Sequence, residues 1–269
     1  MIKRLTILTL IGMLILTMAG CAGLLEAQEA EEAPDVTPDP PSDETRVLLY
    51  FADHQAQHVV PEMRRVTRVG DEPLARAVVR ELIAGPEDPH LFRALPADTS
   101  IISVEIVENI AYINLSEDMK QVYGSAGEMM AVGSLVYSLT ELEDVDHVQI
   151  LIEGKKTETL GGHMYVQEPL DRGEILTHPI FIDEDRAEWL QEQADLGKQA
   201  FRTDPLEAAR FDGRMVGFTG SEEFHLEALA GDSALVWVER DGAEYLLKLV
   251  QPADTGEGGI WMISSVTKQ

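Results

Sequence analysis

The run IISVEIVENIAYINLS, residues 101–116, constrains the fold more than any other part of this chain. Its apolar residues recur at every second position, the repeat of a strand with one buried face. Ile102, Val104 and Ile106 share one face of a first strand, and Ala111, Ile113 and Leu115 share one face of a second. Glu108-Asn109 between them leaves room only for a tight turn, so the strands pair antiparallel. A lone hairpin is marginal in water, so helices or further strands must cover its apolar face.

The flanking sequence supplies them. Val47 to Phe51 is a compact apolar and aromatic run and predicts a buried strand. Asp71-Glu72-Pro73 opens a helix with acid near its start and proline in the first turn. Leu74, Val78 and Leu82 form its inward stripe, and Gly85-Pro86 ends it. A second helix over residues 126–142 carries Met129, Val132, Val136 and Leu139 at helical spacing, with Met129 and Met130 as core packing. HVQILIEG, residues 147–154, is another strand, and residues 163–166 are a short last one. Strand, helix, strand, strand, helix, strand predicts a two-layer α+β sandwich of the split βαβ type.

After Pro169 the pattern changes. Asp183 caps a helix whose inward face carries Ala187, Leu190, Ala194 and Phe201. From Gly213 onward short strands dominate. Asp241-Gly242 between SALVWVE and EYLLKLV is a hairpin signal, and the Gly-rich turn 255–259 leads into IWMISSVT. This predicts a second, smaller α+β domain, a helix packed on an antiparallel strand meander.

The amino terminus has a different character. Lys3 and Arg4 precede a fourteen-residue apolar run, Leu5 to Met18, which is short for a membrane span of ~20 residues and has the layout of a secretory signal. Met18-Ala19-Gly20-Cys21 resembles the lipobox of bacterial lipoproteins, in which the cysteine is acylated and becomes the new amino terminus. Cys21 is the only cysteine, so no disulfide can form within one chain, and acylation would remove a stray thiol. Removing residues 1–20 takes away two bases and no acid, moving the formal charge from −27 to −29. Such a chain repels nucleic acid, which is excluded as a partner. From Glu26 to Thr45 come eight acids, four prolines and no base, a composition expected to form an extended tether. The expected organisation is therefore leader 1–20, tether 21–45, first domain 46–170 and second domain 175–269.

Candidate chemistry is sparse. His54, His58 and Glu62 in DHQAQHVVPE have the four-residue spacing of zinc ligands on a helix. Pro61 interrupts such a helix, and Gln55 stands where a zinc protease needs its glutamate base, so a solvated loop is expected and no metal site. GEGG at 256–259 sits between strands, where a phosphate-binding loop would precede a helix. Ser116 lacks nucleophile-elbow glycines. His147 and His163 are isolated, and Glu222-Glu223, as neighbours on a strand, point to opposite faces. No catalytic set and no cofactor site is expected.

The segments LLYFAD (48–53), VVPEMRRV (59–66), ARAVVRELIAGP (75–86), LPADTSIISVEI (95–106), AYINLSEDM (111–119), SLVYSLTEL (134–142) and VQILIEGKKTETLGGH (148–163) together resemble the GerM domain of lipoproteins in spore-forming and related Gram-positive bacteria. The resemblance spans roughly residues 46–170. It implies a non-enzymatic envelope protein of sporulation or spore germination, on the extracytoplasmic face of the membrane. It also implies assembly through sheet and helix edges, with other envelope proteins or further copies of the chain as partners. It makes Pro61, Glu62 and Arg64 residues of a structural turn. The sporulation protein that names the family carries two such domains, and residues 175–269 do not repeat the motifs. The competing reading is an extracytoplasmic lipoprotein that binds a small molecule or a cell-wall polymer in a cleft lined by Trp189, Trp237 or Trp261. A flat apolar sheet edge favours assembly over that reading.

Overall fold

A computed structural model describes residues 44–173 and 179–269. The apolar leader, Cys21 and the acidic segment through residue 43 lie outside the described residues, as do residues 174–178 at the expected domain boundary. Strand β1 (Glu44–Ala52) buries Val47, Leu49 and Phe51, as the apolar run predicts. It starts at Glu44, so pairing reaches into the segment expected as tether. Its partner, β2 (Val59–Thr67), is antiparallel in unbroken register from Glu44↔Thr67 to Ala52↔Val59.

β2 replaces the loop and turn expected around Pro61, Glu62 and Arg64. β1 and β2 form a two-stranded ribbon, so one side of β2 carries no ladder, and a proline nitrogen is tolerated on such a side. The alternation is also masked in the sequence. Arg64 is buried and bonded to Glu62, so a charged pair occupies two positions where apolar residues would announce a strand. Glu62 further accepts the backbone N–H groups of Glu87 and Asp88, and Arg64 donates to the Gly85 carbonyl at 3.1 Å. The pair ties β2 to the end of helix α1 (Leu74–Ala84).

Helix α1 ends at Gly85, whose φ of +99° is left-handed territory that glycine enters without a Cβ clash. Strands β3 (Ile101–Val107) and β4 (Ile110–Leu115) flank Glu108 and Asn109, with φ of +52° and +60°, a mirror-image turn matched to strand twist. Ala111, Ile113 and Leu115 are fully buried, as expected. Ile102 is not. A bulge between Ile101 and Ser103 turns it outward to 46% exposure, and Ile101 packs on the core in its place.

Helix α2 (Gly124–Leu139) crosses from β4 to β5 (His147–Ile152), which runs parallel to β4, the connection that parallel neighbours require. α2 is buried on two sides. Val132, Leu135 and Leu139 join the main core. On another side the Ser134 hydroxyl donates to the Tyr50 carbonyl at 2.6 Å, and Ser138 Oγ accepts the Tyr50 N–H. A helix covered on two sides shows no single stripe, and the expected stripe therefore misplaced Met129, which is exposed while Met130 is buried. The short β6 (Lys155–Lys156) completes a sheet ordered β3-β4-β5-β6. The last strand expected at 163–166 does not form. Residues 160–163 instead wrap onto Glu128 of α2, whose fully buried carboxylate accepts the N–H groups of Leu160 (2.7 Å) and His163 (2.8 Å).

In the second part, Asp183 caps helix α3 (Glu184–Asp195), its carboxylate accepting the Arg186 N–H at 2.9 Å, and Ala187, Leu190 and Ala194 are buried. Phe201 is not on this helix, which stops before Gly197 (φ +75°). It sits on a 3-10 turn, Ala200–Thr203, and its ring lies 4.8 Å from that of Phe211. Phe211 belongs to α4 (Pro205–Asp212), a helix too short to show a sequence stripe. Strands β7 (Phe224–Ala230), β8 (Ser233–Arg240), β9 (Ala243–Val250) and β10 (Met262–Lys268) follow as the expected meander, with Asp241 and Gly242 in left-handed conformation at the hairpin. The chain is α+β throughout. The two largest cores, one built from residues 47–166 and one from residues 180–266, lie within a single compact unit, with smaller clusters under α3 and around Tyr50.

Candidate interaction surface

Each four-stranded sheet has one edge closed by its own chain. In the first, β5 pairs with β6 and, at its start, with Leu170, which exchanges hydrogen bonds of 2.8 and 2.9 Å with Val148. In the second, the outer edge of β10 receives the Ile180 N–H at Ser264. The opposite edges, β3 and β7, have no second strand neighbour among the described residues.

The two open edges differ. The bulge of β3 lies at its start, so Ser103 to Val107 stay in continuous register with β4. Arg76 of α1 donates to the Ile101 carbonyl at 3.1 Å and occupies only the first residue of this edge. Ile102 and Val107, 46% and 51% exposed, stand at either end of the flat run. An edge of this kind, with unpaired backbone and exposed apolar side chains, is a template for another strand. β7 is bulged in its middle, between Leu226 and Ala228, and carries Glu227 there.

A groove separates the ribbon from the helices of the second part. A cavity of about 1130 Å³ lies between Thr45 to Leu48 of β1, the start of α1 and Glu207, Arg210 and Phe211 of α4. A second, about 610 Å³, shares Arg46, Met63, Phe201 and Phe211 with it and extends to Trp189 of α3. Trp189 lines this second cavity. Trp261 is buried in the second core, and Trp237 stacks on His225 at 4.3 Å.

A buried polar network closes one end of the groove. Tyr50 donates to Glu141 at 2.6 Å, and Arg172 donates to Glu141, Thr140 Oγ1, the Tyr137 carbonyl and the Phe218 carbonyl. The guanidinium also lies over the Tyr50 and Tyr137 rings. Burial pushes the Tyr50 phenol well above its usual range, with Glu141 adding to the rise against the opposing charge of Arg172. The phenol therefore remains a neutral donor. Through Phe218, Arg172 fastens the first sheet's helix to the second part.

The histidines of the zinc-like spacing go to different partners. His58 is buried, with Nδ1 3.2 Å from Asp53 Oδ2, so it is no solvated loop residue. Burial alone would raise the Asp53 carboxyl, but hydrogen bonds from the His58 ring and the Gln57 amide outweigh it and hold the carboxyl low. His54 Nδ1 lies 3.0 Å from Asp183, the cap of α3, and Glu62 serves Arg64. Among the described residues, no group of three or more His, Cys, Asp or Glu is placed to hold a metal ion. The Ser116 hydroxyl donates to the Asp118 carboxylate at 3.1 Å and accepts the Ser100 N–H at 3.0 Å. Gln251 holds the Gly256–Gly259 turn through its amide. Glu222 closes a turn on Thr219 and Gly220 ahead of β7, so it is not a strand residue. His147 is exposed at the start of β5, and His163 takes part through its backbone in the Glu128 clamp. Sequence reasoning missed Glu128, Glu141 and Arg172, since a charged residue in a helix or after a strand carries no local mark of burial.

Residues 48–158 match the family described as Germane: Sporulation and spore germination. The matched segment runs from Leu48 in β1 through β6, and so includes the open β3 edge and much of the ribbon side of the groove. Among solved structures, the chain is similar to a Clostridium perfringens protein described as a lipoprotein, at 26% identity and TM-score 0.36, over 49% of this chain and 91% of that one. It is similar to the first GerMN domain of the sporulation protein GerM from Bacillus subtilis, at 23% identity and TM-score 0.40, over 48% and 98%. The tandem GerMN domains of the same protein align over 82% of this chain and 61% of that one, at 16% identity and TM-score 0.45. No curated protein matches the chain. Among the described residues, no helix is long and apolar enough to cross a membrane.

Proposed function

We propose that this is a non-enzymatic envelope protein of sporulation or spore germination whose Germane domain docks an extended segment of another envelope protein along β3. The observation that carries the reading is the β3 edge: five residues in continuous register, no outer strand among the described residues, and Ile102 and Val107 exposed at its ends. Main-chain hydrogen bonds would supply affinity, and the two apolar side chains would supply register. Anchoring follows from the leader: acylation of Cys21 would place the domain at the outer face of the membrane, on the acidic segment as a spacer.

Two experiments test this. Cys21→Ala should leave the protein unprocessed or release it from membranes, and unchanged partitioning of processed protein would remove the anchor from the account. Lysine at an edge position blocks strand addition while staying solvated. The Ile102→Lys/Val107→Lys variant should therefore fold normally yet lose the partner that whole-cell crosslinking captures on the parent chain. Retention of that partner would contradict docking at β3.

A further inference from the structure

In a chain of formal charge −27, the 610 Å³ cavity is lined by five cations and three carboxylates. The carboxylates are already engaged. Glu62 is taken by Arg64 and two backbone amides, Asp88 accepts Arg186 Nε at 3.0 Å, and Glu87 lies 3.4 Å from Arg64. That leaves Arg46, Arg65 and Lys198. Among the described residues, Arg65 pairs with Glu44 at 4.0 Å, and neither Arg46 nor Lys198 makes an ion pair. Arg46 and Arg65 are direct cross-strand partners on the ribbon, and both are exposed. Like charges directly opposite destabilise an antiparallel pair, so the fold gains nothing from this placement. A ligand anion between them would reverse the sign.

The same cavity is lined by Trp189, Phe201 and Met63, apolar surface suited to the flat face of a ring. The volume falls within the usual range for small-ligand sites, roughly 300–1,000 Å³. We infer that this basin binds a sugar phosphate, with Arg46, Arg65 and Lys198 on the phosphate and the Trp189 side against the sugar. Arginine pairs favour phosphate because the guanidinium fork matches its oxygens. The inference is independent of the β3 edge, which is on another strand of the domain.

The test is calorimetry and tryptophan fluorescence on the mature chain with N-acetylglucosamine 1-phosphate, with inorganic phosphate and uncharged N-acetylglucosamine as separate arms. The sugar phosphate should bind with a dissociation constant below about 1 mM and more tightly than either arm. Arg46→Gln and Arg65→Gln should each weaken it by roughly tenfold while leaving the melting temperature unchanged or raised. Lys198→Gln, outside the ribbon, should weaken it as well, and Trp189→Phe should remove the fluorescence change. Equal binding of inorganic phosphate would overturn the sugar assignment. Absence of binding, affinity unchanged in all three cation variants, or a lowered melting temperature in both arginine variants would overturn the site.

Discussion

β3 and β7 are both open edges of four-stranded sheets in one molecule, yet they present different surfaces. β7 exposes Leu226 and Leu229, but its bulge divides the strand into short pieces, and Glu222, Glu223 and Glu227 lie along or just before it. Bulges and charges are the devices by which proteins keep an edge from pairing. β3 confines its bulge to one end and keeps a flat run with Glu105 as its only charge. The lesson is that exposure alone does not mark a docking edge. Continuity of register is what separates the two edges.

The comparison assumes that each sheet is held by its own core, and the largest expected effect tests that assumption. Arg202, 1% exposed, donates to both Asp212 oxygens at 3.0 and 2.9 Å, and its guanidinium lies over both the Phe201 and Phe211 rings. Arg202→Ala would leave Asp212 buried without its partner, a loss of roughly 3–5 kcal/mol. Hydrogen exchange should show β8 to β10 losing protection while β3 to β5 keep theirs. Equal loss in both sheets would mean that they unfold as one, and the edges could not be treated separately.

A smaller effect is expected in the first sheet's part of the chain. Burial would raise the Glu128 carboxyl, but backbone N–H groups from Leu160 to Met164 outweigh it and hold it below the usual range. A carboxyl depressed in the folded state stabilises fully above its unfolded value of about 4.3, and that contribution is lost as pH falls through the lower folded value. Glu128→Gln keeps an acceptor but turns an NH₂ toward N–H donors, at a cost of about 1–3 kcal/mol. Exchange in residues 160–164 should rise in this variant at neutral pH. In the parent chain it should rise only on acidification, and β7 should be untouched in both cases.

Much of this was legible in the sequence, and the failures have physical causes. The β3–β4 turn, the α1 boundaries, the Asp183 cap and the Asp241-Gly242 hairpin each rest on a local rule within a few residues, and each is present. β2 was hidden because its buried face contains the Glu62–Arg64 pair and because Pro61 reads as a breaker without knowledge of which side of the strand is unpaired. Phe201 was assigned to α3 by periodicity, since nothing in the spacing shows that Gly197 ends the helix. The groove was illegible in outline. Arg46 and Arg65 become neighbours only once the ribbon register is known, and Trp189 meets them only through tertiary packing.

The smallest expected effect on stability belongs to the edge itself. Val107→Lys replaces an exposed side chain and should shift stability by no more than about 0.5 kcal/mol in thermal unfolding. A larger loss would mean that Val107 is structural and that the β3 edge is less open than its exposure indicates.

The central claim is that β3, and not β7, is where a partner strand docks. The direct measurement places a photo-crosslinking amino acid at Val107 or at Leu229 in the full chain, in living cells, and compares the adducts. The account predicts a discrete adduct with another envelope protein from position 107, suppressed by Ile102→Lys, and none from position 229. An adduct of equal yield from both positions, or from 229 alone, would contradict it.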